Sequence, residues 1–286
     1  MSALPPSRAI VITGCSSGFG RVTALHLARH GWFVFATVRK EEDQSDLLSE
    51  AARLGCKEQL AVILCDITQP EQVAALSEIV AAETTRLDAL LNNAGTAYAA
   101  PLELLALDDL RAQLEVNVVA PVSVTQALLP LLKEARGTII NVSSLGGRIA
   151  TPVVGAYAAS KFALEAISDA WRIELARFGV RVVVIEPDSS TTGIWDTSKQ
   201  RASGRLEAYR DGPYSRLLNA TEKMVARIPT TGFPPQLFAD TVFKILSTRR
   251  PRARYVVPRK SARLIRLRSL LPDSIWDKQI RRMMRW

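Results

Sequence analysis

Near the N-terminus a short apolar run, a glycine-rich turn and a helix start follow one another without a break, and this succession restricts the fold more than any other feature. Ala9-Ile-Val-Ile-Thr13 is apolar without alternation, as expected of a strand covered on both faces in a parallel sheet. Gly14-Cys-Ser-Ser-Gly18-Phe-Gly20 follows, and then a helical stretch from Arg21 to His30. Glycines let an anion approach the backbone, and a helix N-terminus offers N–H groups without intrahelical partners. Gly14, Ser16, Ser17, Gly18, Phe19 and Gly20 are therefore candidate contacts to a pyrophosphate. The spacing is Gly-x-x-x-Gly-x-Gly and not the commoner Gly-x-Gly-x-x-Gly. A tight turn without a ligand is the bland alternative; the strand before and the helix after favour the phosphate site. His26 and His30 read as helix-surface residues.

The alternation continues down the chain. Apolar runs at Phe33–Val38, Leu60–Cys65, Asp88–Leu91, Thr138–Val142, Val180–Ile185 and Arg254–Pro258 are separated by helical stretches. Those stretches include one begun by Pro70, a long one from Leu104 to Leu132 containing Asn117, one from Ala156 to Phe178, and Pro235 to Leu246. The expected fold is α/β, a doubly wound parallel sheet in a single domain spanning 1–258. Between about 188 and 233 the regularity stops and Trp195, Tyr209, Tyr214, Leu217, Leu218 and Phe233 lie among charged residues. This reads as an insertion covering a substrate, with ordinary packing of short surface helices an equal alternative.

In sheets of this kind ligands sit at the strands' C-terminal ends. The second strand ends Thr37-Val38-Arg39-Lys40. An acid there would bind a free ribose 2′-hydroxyl; a guanidinium suits a 2′-phosphate. Arg39 thus favours NADP(H) over NAD(H), unless Arg39 and Lys40 merely solvate a strand end. Further on, Tyr157 and Lys161 are four residues apart and share one helix face. An ammonium beside a phenol favours the phenolate and brings its pKa down; three units would need about 4 kcal/mol, which a close ammonium helped by a bound cationic ring could supply. Ser144, at the end of the fifth strand, can hydrogen-bond a substrate oxygen from a different element.

Taken together, Thr13-Gly14-x-x-x-Gly18-x-Gly20, Asn92-Asn93-Ala94-Gly95, Asn117, Ser144 and Tyr157-x-x-x-Lys161 resemble the short-chain dehydrogenase/reductase family, in family order. Thr-Gly-Cys-Ser-Ser-Gly-Phe-Gly and Phe-Ala-Thr-Val-Arg are similar to its retinol dehydrogenase and 17β-hydroxysteroid dehydrogenase branch. The resemblance implies a Rossmann-type fold and an oxidoreductase of lipophilic alcohols, ketones or aldehydes. Tyr157 would be general acid in reduction and base in oxidation. Lys161 would depress its pKa and bind the nicotinamide ribose, Ser144 would hold the substrate oxygen, and Asn117 would interrupt its helix and position a water. Asp66 and Ile67 would flank the adenine; Asn93, Ala94 and Gly95 would line the cofactor cleft; Pro187 would border the cofactor, and Thr192 would contact the nicotinamide carboxamide or the pyrophosphate. A homodimer or homotetramer is implied. The family's glycine after the proline is replaced by Asp188, which would place a carboxylate near the cofactor.

Charge is unevenly distributed. Residues 249–286 hold 13 of the 37 Lys and Arg and only Asp273 and Asp277 as acids, so this end carries about +11 and residues 1–248 about −2. Within 259–286, Arg259, Lys260, Arg263, Arg266, Arg268, Lys278, Arg281, Arg282 and Arg285 mix with Leu264, Leu267, Leu270, Ile275, Trp276, Ile280, Met283 and Met284. A basic amphipathic extension with tryptophan suits an anionic membrane surface, in competition with packing on the body. Nothing resembles a nucleic-acid module. No uninterrupted apolar run approaches the roughly eighteen residues of a membrane span. Cys15, Cys56 and Cys65 form neither a metal spacing nor an even framework, so no metal is expected and a cytoplasmic setting fits. Two other functions fit the residues less well. A non-catalytic cofactor-binding scaffold has no need of the full Asn117, Ser144, Tyr157 and Lys161 set. A sugar-nucleotide epimerase or dehydratase fits the glycine spacing poorly.

Overall fold

Along the first strand, β1 (Ala9–Ile12), successive side chains enter two different cores, which is why the run is apolar throughout. Ile10 and Ile12 enter one core with Leu27, Phe238, Val242 and Ile185. Ala9 and Val11 enter the other with Phe35, Leu90, Val124 and Leu128. The computed structural model describes residues 8–191 and 212–286. The remaining strands are β2 (Phe33–Val38), β3 (Leu60–Leu64), β4 (Ala89–Asn92), β5 (Thr138–Val142), β6 (Arg181–Pro187) and β7 (Arg254–Val257). They form one parallel sheet in the order β3-β2-β1-β4-β5-β6-β7. The order reverses between β1 and β4, and a crevice opens there outside the strand ends.

Helices α1 (Gly18–Arg29) and α2 (Glu41–Arg53) lie on the first face, and α3 (Pro70–Glu83) on the second. The expected long helix runs from Leu107 to Ala135: α4 (Leu107–Leu114), a π-helical stretch Glu115–Val119, and α5 (Ala120–Ala135). It starts later than Leu104 because Leu102–Leu104 form a 3₁₀ turn after Pro101. By length and composition this helix could cross a membrane. Its Val124, Leu128 and Leu132 are nevertheless fully buried against the sheet, the packing of a core helix. α6 (Gly155–Glu174) carries Tyr157 and Lys161. β6 extends two residues past Ile185 because Glu186 and Pro187 pair with Val256 and Val257.

Of the expected substrate cover, Trp195, Tyr209 and Thr192 lie outside the described residues. Its described part is α7 (Ser215–Val225) and α8 (Ile228–Thr231). Then come α9 (Pro235–Ser247), α10 (Ala262–Leu270) and α11 (Asp273–Met284).

Candidate active site

The glycine loop is shaped by what it packs against. Gly14 has φ +71°, and a Cβ on it would lie 2.9 Å from Ala94 Cα. A Cβ on Gly20 would lie 2.2 Å from Gly14 O and 2.5 Å from Asn93 Nδ2. The β1 and β4 turns are pressed together. Thr13 Oγ1 accepts from the N–H groups of Asn93 and Ala94, each at 3.0 Å. Asn93 Nδ2 donates to Thr13 O at 2.8 Å and Gly14 O at 3.0 Å. Asn93 is thus a brace that holds the loop open, and its amide is not directed to the cleft.

Ser17 precedes the first turn of α1, where no acid competes for the N–H groups and no side chain caps them. Phe19 turns its ring into the core, stacked on Phe238 at 4.2 Å and Phe233 at 5.7 Å. What it can offer a phosphate is its backbone N–H. Cys15 is fully buried and its thiol is pushed well up by burial, which makes it inert. Arg39 is exposed at the end of β2, beside the loop because Gly14 N and Cys15 N donate to Thr37. Asp66 and Ile67 are more structural than expected. Asp66 Oδ1 accepts from the Thr68 N–H at 3.0 Å and its hydroxyl at 2.8 Å, and Ile67 is packed into the core.

Deeper in the crevice, Gly95, Asn117 and Lys161 meet. A Cβ on Gly95 would lie 3.4 Å from Asn117 Oδ1 and 3.7 Å from Lys161 Nζ. Asn117 sits in the π-helical stretch, fully buried. Its Oδ1 accepts from Thr96 N at 2.9 Å, and its Nδ2 donates to Thr96 O at 2.9 Å and Ser160 Oγ at 3.0 Å. One turn earlier Gln113 accepts from Tyr98 N and donates to Thr96 O. Together they clasp the chain after Gly95. Gln113 was not read from the sequence; the only signal was an amide four residues before Asn117.

Ser144 Oγ accepts from Gly146 N at 3.0 Å and donates to Pro187 O at 3.5 Å. The Ser144 side chain faces the Tyr157 phenol and acts to lower its pKa. Lys161 Nζ donates to Val142 O at 2.8 Å and lies 5.8 Å from the Tyr157 ring centre. Ser144, Tyr157 and Lys161 therefore converge as expected. Burial pushes the Tyr157 phenol above its ordinary value, opposed by Ser144. Burial also brings the Lys161 ammonium down to about 8, opposed by Glu165. Desolvation penalises both charged forms; the protein's own groups favour the phenol, and the expected depression of Tyr157 also calls on a bound cationic ring.

Asp188 also departs from expectation. Its Oδ2 accepts from Ser261 Oγ at 2.5 Å and its Oδ1 from Ser189 N at 2.7 Å. The carboxylate ties the β6 loop to the C-terminal region and does not face the pyrophosphate cradle unpartnered. Val153, four residues before Tyr157, was likewise not singled out. It holds φ +71°, a strained conformation for a β-branched residue. Its carbonyl accepts from Ala100 N at 2.8 Å, and its side chain packs with Leu217, Leu218 and Met284.

The cradle fits a dinucleotide on the chain's own geometry. Side chains are excluded at Gly14 and Gly20, the α1 N-terminus lacks a cap, and Arg39 stands exposed at the adenosine end. Gly95 leaves room beside Lys161.

Residues 8–203 match the family model described as short chain dehydrogenase. The chain is 36% identical over 278 residues to an NADPH-dependent 3-dehydrocapnine reductase of Ornithobacterium rhinotracheale, covering 95% of each. It is 37% identical over 294 residues to human retinol dehydrogenase 5, covering 96% of this chain and 88% of the other. Among solved structures, a short-chain dehydrogenase from Streptomyces avermitilis superposes with a TM-score of 0.77 at 26% identity, covering 95% of this chain and 94% of the other.

Proposed function

This chain belongs to the short-chain dehydrogenase family of NAD(P)-dependent oxidoreductases, and on that premise we propose that it uses NADP(H) to interconvert a lipophilic alcohol and its ketone or aldehyde. The observation that carries this reading is the convergence of Ser144 and Lys161 on the buried Tyr157. In reduction, Ser144 holds the substrate oxygen and Tyr157 gives its hydroxyl proton to that oxygen; in oxidation Tyr157 takes the proton back. When bound, the nicotinamide ring supplies or accepts the hydride. Lys161 would hold the nicotinamide ribose, the Gly14–Gly20 loop the pyrophosphate, Arg39 the 2′-phosphate, and Thr192 the nicotinamide carboxamide or the pyrophosphate, with Pro187 bordering the cofactor. Asn117, pinned to Thr96 and Ser160, keeps the floor beside Lys161 in place.

A lipophilic substrate is supported by the apolar cluster of Val153, Leu217, Leu218 and Met284 next to the loop that leads into Tyr157. It is also supported by the retinol named in one relative. A homodimer or homotetramer is supported by Phe162 and Ile173, which stay exposed on α6. A domain spanning 1–258, covered by a lid over 188–233, belongs to the same reading, as does a cytoplasmic setting. A scaffold role or sugar-nucleotide chemistry has no observation in its favour. NADPH and NADH consumption against a panel of apolar ketones, aldehydes and alcohols tests the reading. Turnover confined to polar sugars, or none with any member, would refute it.

Cofactor choice has its own test. Val38→Asp places a carboxylate where it repels a 2′-phosphate and can accept from a free ribose hydroxyl. The ratio of kcat/KM for NADPH to that for NADH is expected to fall by about tenfold or more, roughly 1.4 kcal/mol. An unchanged ratio would show that Arg39 does not read the phosphate.

A further inference from the structure

α10 and α11 face two ways. The inner side of α11 is committed to the protein: Trp276 and Met284 are buried, and Met284 packs with Ile280 against Leu217, Leu218 and Val153. Trp286 stacks on Tyr214 at 5.7 Å, and Tyr214 donates to Glu103 at 2.5 Å. The expected competition between packing and membrane contact is thus answered for this side in favour of packing.

The outer side is different. Leu264, Leu267 and Leu270 recur every third residue of α10 and form one ridge, exposed by 43, 49 and 81%. Ile275 and Met283 continue the apolar exposure on α11. The ridge is edged by Arg263 and Arg266, and α11 adds Arg281 and Arg282. Of the basic residues in 259–286, only Arg268 forms an ion pair among the described residues, with Asp273 at 2.5 Å.

An exposed leucine ridge bordered by unpaired guanidinium groups matches one kind of partner, a surface that is apolar below and anionic above. Each copy carries nine basic and two acidic residues in 259–286, so two copies placed ridge to ridge would repel one another. A nucleic acid would use the charges and leave the leucines in water. We propose that α10 and the outer side of α11 dock the protein on the surface of an anionic lipid bilayer. The docked helix α11 is the same helix whose inner side covers the apolar cluster beside Val153 and the Tyr157 loop. A lipophilic substrate leaving the bilayer would thus be released on the side of the protein that covers the Tyr157 loop. This second step rests on the lipophilic substrate proposed above; the docking itself does not.

The experiment is sedimentation of the full chain with vesicles of phosphatidylcholine alone and of phosphatidylcholine with phosphatidylglycerol, at low and high salt. The comparison variant is Leu264→Ser/Leu267→Ser/Leu270→Ser, chosen because these exposed side chains belong to none of the buried core clusters. The expected result is binding to the anionic vesicles that weakens with salt and falls by about tenfold or more in the variant. NADPH oxidation with a short water-soluble ketone should stay at the parent rate in the variant. A parent chain that stays in the supernatant with anionic vesicles at low salt overturns the proposal. So does a variant that binds as tightly as the parent. Salt-sensitive vesicle binding by a protein that turns over no lipophilic substrate would refute the proposed function and leave the docking standing.

Discussion

Tyr157→Phe is expected to lower turnover by about 10²–10⁴-fold, the range of general acid–base catalysis, with cofactor binding and fold retained. The substitution keeps the ring, which is buried, and removes only the hydroxyl that Ser144 engages. Ser144 keeps its bond from Gly146 N, so no buried donor is stranded. Steady-state NADPH oxidation and a fluorescence titration of NADPH separate the two effects. Near-parent turnover would exclude Tyr157 as the proton donor.

The same geometry sets a pH dependence. Burial holds Tyr157 in its phenol form at neutral pH, the form that donates in reduction. Lys161 is charged below about 8 and loses its proton above it. For reduction, kcat/KM reports groups of the free enzyme. It is therefore expected to fall as pH rises through about 8, with the tyrosine contributing a further fall only at higher pH. A profile flat through that range would show that the charge on Lys161 is not required.

What could be read from residue order, and what could not, follows from the range of the interactions. The loop Gly14–Gly20 was legible because phosphate binding requires small residues between a strand and a helix N-terminus, all local in sequence. Tyr157 and Lys161 were legible because four residues on a helix fix a shared face. The desolvation of Tyr157 was not legible. Spacing reveals a neighbouring charge, whereas burial depends on Val142 and Gly146 closing around the pair. The bracing roles of Asn93 and Gln113 were hidden for a similar reason. A side-chain amide does not reveal which backbone it will clasp, and Asn93 reaches back eighty residues to Thr13. Asp188 looked like an unwanted charge in the cleft because its partner Ser261 lies 73 residues further on. The C-terminal residues read correctly as amphipathic, but which side meets the body depends on Leu217 and Leu218, which form no recognisable pattern with them.

Long-range pairing also underlies the largest expected loss of stability. Glu165 and Glu186 are 5 and 2% exposed, and they come from α6 and β6. Arg254 on the edge strand β7 serves both. Its Nε donates to Glu165 Oε2 at 2.9 Å and lies 3.7 Å from Glu186 Oε1, and its Nη2 donates to Asp169 Oδ2 at 2.8 Å. Arg148 adds a second partner for Glu186 at 3.1 Å. Glu165 Oε1 is already buried without a partner. Arg254→Met keeps most of the aliphatic stem and removes the charge. Breaking a buried pair from one side costs about 3–5 kcal/mol, a large part of the roughly 5–15 kcal/mol that holds a domain folded. The loss should depend on pH with a definite sign. Burial, with the charge of Glu165, pushes the Glu186 carboxyl up, and Arg254 pulls it down. Without Arg254 it binds its proton more tightly when folded than when unfolded. Stability then falls as pH rises from the ordinary carboxylate range towards the raised folded value, and the deficit is complete above that value. Asp169 works in the opposite sense, since Arg254 and Arg172 hold it below its ordinary value. Its side chain is 43% exposed, and screening keeps its share small. Urea unfolding of both proteins near pH 7 and near pH 5 should therefore show a deficit of about 3–5 kcal/mol at the higher pH and a smaller one at the lower. A deficit under about 1 kcal/mol, or one equal at both pH values, would mean that water or Arg148 already satisfies these carboxylates without Arg254.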